Sequence, residues 1–73
     1  MTMTSKKFKV FILEDEAPKI EKIRHDLRDT GYELNFFSKG ESMIDLLKFN
    51  PDILIADYFN KKIFNHYEWS VRY

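Results

Sequence analysis

The stretch "NPDILIADYFN", residues 50–60, decides how this chain folds. Four apolar residues, Ile53 to Ala56, run directly into a single carboxylate, Asp57. A short, continuous apolar run of this kind marks a strand buried on both faces, as in a parallel sheet. Asn50-Pro51 supplies the preceding break, because the residue before a proline is pushed out of the helical region. A second run, "FKVFILEDEAP" at residues 8–18, has the same form and ends on three acids, Glu14, Asp15 and Glu16.

Between the two runs the apolar spacing changes from strand to helix and back. Pro18 suits a first helical turn, and Ala17, Ile20, Ile23 and Leu27 recur at helical spacing through about Asp29. Gly31 supplies the left-handed stop. "YELNFF", residues 32–37, forms a second strand. Ser38 and Glu41 make a capping box, opening a helix in which Met43, Ile44 and Leu47 share a face. Asn50-Pro51 ends that helix, and residues 53–57 form the third strand. Strands alternating with helices predict an α/β fold, βαβαβ, with a three-stranded parallel sheet. With strand 1 central, the order is 2-1-3. Residues 1–7 are polar and are expected to fray.

Composition narrows the function classes. The 73 residues make one domain at most, and a chain of this size buries only about 60–65% of its unfolded surface. Cysteine is absent, which excludes disulfides and thiolate metal sites. Lys plus Arg equals Asp plus Glu at 12 each, so the bulk charge of a nucleic-acid binder is missing and no direct nucleic-acid partner is expected. No apolar run approaches the roughly 18 residues of a bilayer span. The N-terminus carries no signal-peptide pattern. The expectation is a cytoplasmic protein without a membrane partner.

In a parallel sheet all strand C-termini share one edge, the edge at which ligands bind. Glu14, Asp15 and Asp57 are therefore expected to converge. The first turn has no G-x-G-x-x-G, so it lacks the backbone nest that holds a dinucleotide. Clustered carboxylates repel one another unless a cation joins them. Mg²⁺ suits such a set, because it takes oxygen ligands and keeps some positions for water or phosphate oxygens. A carboxylate beside that metal can accept a phosphoryl group, which makes Asp57 a candidate nucleophile. The plainer alternative is that the strand 1 acids simply open the next helix, where its dipole favours them. Asp57 has no such helix signal after it, and Glu16 suits helix entry rather than metal ligation.

The segments "KVFILEDEAP", "GYELNFFSKGESMIDLL" and "PDILIADY" resemble the first half of a response-regulator receiver domain of two-component signalling. The resemblance covers residues 7 to 59 and implies a partial flavodoxin-like fold. It implies Glu14 and Asp15 as Mg²⁺ ligands, and Asp57 as both ligand and phosphoryl acceptor. Phe59 would add its backbone carbonyl to the metal. The implied partner is a sensor histidine kinase or phosphotransfer protein, in a phosphorelay rather than as an enzyme.

The chain departs from the family after strand 3. The strand 4 Ser/Thr, the strand 5 Lys and the strand 5 aromatic have no counterpart, and Asn60-Lys61 stands where the family usually has a proline. Residues 1–59 are thus expected to be the N-terminal half of a receiver, truncated after its third strand, with residues 60–73 as a non-family tail. Tyr67, Trp69, Val71 and Tyr73 alternate with polar residues, which favours a strand, while Ile63, Phe64 and Tyr67 also fit a single helical turn; the tail is expected to be irregular and then extended. The side of strand 3 where a fourth strand would pair is left open, and the tail's aromatics are expected to pair there, to pack on a bare sheet face, or to exchange with a second chain in a homodimer. The alternatives to a phosphoacceptor are a non-catalytic interaction module, docking through the helix from Ala17 to Asp29, and a non-functional fragment of an interrupted receiver gene.

Overall fold

The structure, a computed structural model, describes residues 7–71. The expected fraying of residues 1–6 and the placement of Tyr73 lie outside the described residues. The elements run β1 (Lys9–Leu13), α1 (Ala17–Asp26), β2 (Glu33–Phe37), α2 (Met43–Leu47), β3 (Ile53–Asp57), β4 (Lys62–Asn65) and α3 (His66–Val71). They form one mixed four-stranded sheet in the order β2-β1-β3-β4.

Both β2 and β3 pair with β1 in parallel, from Lys9↔Glu33 to Leu13↔Phe37 on one side and from Val10↔Ile53 to Ile12↔Ile55 on the other. Alternate residues of β1 serve opposite faces, as the two-residue period of a strand requires. Val10 and Ile12 pack with Ile23 of α1 and Ile55 of β3. Phe11 and Leu13 pack on the other face with Leu46 of α2, Leu54 of β3 and Trp69 of α3. One helix therefore covers one face and two short helices cover the other. This is why β1 carries an almost unbroken apolar run.

Helix α1 ends earlier than its apolar spacing suggests. The main-chain N–H of Leu27 closes the last turn, residues 27–30 form a turn, and Gly31 then takes φ +76°. The Tyr58 hydroxyl donates to Asp26 at 2.9 Å and ties the end of α1 to the residue after β3.

Helix α2 is capped by Ser42, not Ser38. The Ser42 hydroxyl oxygen accepts from the Asp45 N–H at 3.4 Å. Ser38 instead closes a turn, accepting from the Glu41 N–H on its carbonyl at 3.0 Å, while its hydroxyl donates to Asp15. The later start rotates the inward face to Met43, Leu46 and Leu47, leaving Ile44 63% exposed.

The tail differs from the irregular-then-extended expectation. Residues 58–61 turn back, with Lys61 at φ 60°, and β4 pairs antiparallel with β3 from Ile53↔Asn65 to Asp57↔Lys62. The edge of β3 that the sequence leaves open is thus filled by the chain itself. Helix α3 follows because Asn65 and Glu68 form a reciprocal cap. The Glu68 N–H donates to Asn65 Oδ1 at 2.9 Å, and the Asn65 N–H donates to Glu68 Oε1 at 3.3 Å. That local cap wins over the polar–apolar alternation, and it turns Trp69 onto the sheet.

Candidate functional site

The shared direction of β1, β2 and β3 brings their C-termini to one edge, where a cleft of about 230 Å³ opens. Leu13 and Glu14 line it from the end of β1, and Ala56 and Asp57 from the end of β3. Phe59 and Asn60 come from the β3–β4 turn, Lys39 from the segment after β2, and Lys19 from the first turn of α1. Of the three acids expected to converge, Glu14 and Asp57 line this one cleft, and Phe59 lines it beside them. Asp15 is not among the lining residues; it is exposed, and it accepts a hydrogen bond from the Ser38 hydroxyl at 3.4 Å.

Glu14 is the one buried acid of the described residues, 6% exposed. The Glu14 N–H extends the pairing of β1 with β2 by donating to the Phe37 carbonyl at 2.8 Å, which anchors the residue at the edge. Its Oε2 accepts from the Glu16 N–H at 3.2 Å and stands 3.4 Å from the Lys39 ammonium. A buried carboxylate left unpaired would be costly, and these two donors answer for it. Lys39 also donates to Glu16 at 2.9 Å, and that bond, with Lys19 nearby, holds the Glu16 carboxyl below its usual range.

Asp57 is held differently. The register shifts between Ile55 and Asp57, as at a bulge, and such irregularities re-aim side chains. Its Oδ2 accepts from the Asn60 side-chain amide at 2.6 Å and its Oδ1 from the Asn60 N–H at 3.3 Å. The Asn60 side chain is the main cause holding the Asp57 carboxyl below its usual range; partial burial opposes it, and Lys62 and Lys19 add to it. Asp57 is therefore ionised at neutral pH.

Among the described residues no group of three or more His, Cys, Asp or Glu is arranged to hold a metal ion. The carboxylates that line the cleft, Glu14 and Asp57, are oxygen donors of the type a hard cation takes. Mg²⁺ commonly uses only one or two carboxylates and fills its remaining positions with water or phosphate. The donor chemistry fits Mg²⁺, with an ammonium already at one of the carboxylates.

Sequence reasoning picked out the acids and missed Lys39, Lys19 and Asn60. The signal for Lys39 was topological: a residue just past the end of β2 must lie at the same edge as the ends of β1 and β3. Asn60 three residues after Asp57, in a segment that must reverse, is a turn signal of the Asx kind.

No helix of the described residues is long and apolar enough to cross a membrane. No family model matches the chain, and no curated protein or solved structure matches it.

Proposed function

We propose that the chain is a phosphoacceptor of the response-regulator receiver type, with a partial flavodoxin-like core in β2-β1-β3. Asp57 takes a phosphoryl group from a sensor histidine kinase or a phosphotransfer protein. One observation carries this reading: Glu14 and Asp57, from the ends of two adjacent parallel strands, line a single cleft together with Phe59.

In the transfer, an Asp57 carboxylate oxygen attacks phosphorus and the P–N bond of the donor phosphohistidine breaks. The imidazole leaves with the bonding electron pair, and Asp57 becomes an acyl phosphate. A carboxylate is ionised at neutral pH, the form that the nucleophile needs. Asn60 is a positioning residue that fixes the carboxylate plane and must release one oxygen for attack. Glu14, Asp57 and the Phe59 carbonyl would hold Mg²⁺, with Asp15, now bonded to the Ser38 hydroxyl, as the further ligand that the resemblance implies. The ion, when bound, neutralises charge on the phosphoryl oxygens.

The test is intact mass after incubation with acetyl phosphate, with and without Mg²⁺, on this chain and on Asp57→Asn. The expected result is one Mg²⁺-dependent phosphate adduct that the variant lacks. Absence of an adduct in the parent chain contradicts the reading.

A second reading, a non-catalytic interaction module, is favoured by the same hydrogen bonds. Both Asp57 oxygens and the Glu14 carboxylate already have partners within the chain. Kinase binding that survives Asp57→Asn, without phosphorylation of the parent, would support it.

A further inference from the structure

We propose that Lys39 is the built-in counter-ion of the cleft, and that a divalent cation binding at Glu14 competes with the Lys39 ammonium and displaces it. This rests on the metal-assisted reading above and adds what controls the affinity.

The placement of Lys39 is built into the backbone. Its neighbours close a turn at the end of β2, in which the Gly40 N–H donates to the Ser38 hydroxyl oxygen at 3.3 Å and the Glu41 N–H to the Ser38 carbonyl at 3.0 Å. The Ser38 hydroxyl in turn donates to Asp15 at 3.4 Å, tying the turn to the end of β1. From there the ammonium reaches Glu14 Oε2 at 3.4 Å and Glu16 Oε2 at 2.9 Å. The Glu14 side chain is only 7% exposed, so little water is available to replace that charge.

A hard cation needs the same carboxylate, and two cations at one carboxylate repel. Lysine can give way, because its ammonium is a point charge on a flexible four-carbon stem. It also keeps a partner when it does: the Glu16 contact is the shorter of its two and lies outside the cleft lining. Lys19 is the other lysine lining the cleft and stands apart from Glu14. Its ammonium pairs with Glu16 at 3.6 Å and lies 5.8 Å from the centre of the Phe59 ring. The competitor is therefore Lys39.

The experiment measures Mn²⁺ binding by calorimetry on the parent chain, Lys39→Met and Lys39→Arg, with the Lys39 ammonium nitrogen followed by NMR in the parent as Mg²⁺ is added. Lys39→Met is expected to bind about fivefold more tightly, the scale of one partly exposed ion pair. Lys39→Arg is expected to stay within twofold of the parent, and the Lys39 ammonium signal to move with metal occupancy. Equal affinity in Lys39→Met, with an unmoved ammonium signal while metal binds, overturns the displacement and leaves the metal reading intact. No binding to the parent or to Lys39→Met overturns the metal reading and the competition with it. If Lys39→Met fails to fold, the ammonium titration of the parent decides alone.

Discussion

Strand β3 has two neighbours that hold it in different ways. On one side β1 pairs in parallel, with four of its five residues buried. On the other side β4 pairs antiparallel and buries none of its residues fully. The first pairing is specified by apolar content: Val10, Ile12 and Leu54 have almost no exposed area and pack on opposite faces. The second is specified by a turn, a backbone ladder and a cap, with Ile63 left 45% exposed. What the difference teaches is where the tail's contribution lies. It is concentrated in Trp69, which α3 lays against Phe11, Leu13, Leu46 and Leu54.

Trp69→Ala is the sharpest way to break that comparison. Truncating a buried Trp costs about 3–5 kcal/mol, a large share of the stability of a small domain. A urea melt followed by circular dichroism should show the variant largely unfolded at 25 °C. A midpoint close to that of the parent would mean that the tail is not anchored as described. At the other end, Ile63→Ala should fall within about 0.5 kcal/mol of the parent, the range of exposed positions. A loss as large as that of Trp69→Ala would mean that β4 is buried against something.

The fold was legible in the sequence wherever one physical signal acted alone. The apolar runs placed β1 and β3 to within a residue, and their acid ends lie at the edge shared by the parallel strands. Legibility failed where two local signals competed. At 38–42 Ser38 carried the capping-box signal, but its hydroxyl is engaged by Asp15 and the helix is capped by Ser42 instead. In the tail, alternation argued for a strand over residues 67–73, while Asn65 and Glu68 formed the cap that made a helix. The acids of the site were legible as strand ends. Their partners, Lys39 and Asn60, were not, since each depends on how a connecting turn runs.

The smallest expected effect concerns the Tyr58–Asp26 contact, which joins α1 to the sheet away from the tail. The Tyr58 hydroxyl is the main cause holding the Asp26 carboxyl below its ordinary 3.8. A carboxyl lowered in the folded state contributes stability that is present above its unfolded pKa and is lost as pH falls through the lowered value. Tyr58→Phe should therefore reduce the loss of stability on acidification below about pH 4, relative to a parent that starts higher. Melts at pH 7 and at pH 3 on both chains measure it. An unchanged acid limb would remove the contact from the account.

The most direct test of the central claim, that the ends of β1 and β3 make one site, is a residue-by-residue NMR titration of the chain with Mg²⁺. The amides of Glu14, Asp57 and Phe59 should shift together along one binding curve, with Lys39 following the same curve and β4 beyond Lys62 still. Shifts confined to residues 14–16, with Asp57 and Phe59 unmoved, would contradict a shared cleft and leave the strand 1 acids as a helix entry alone.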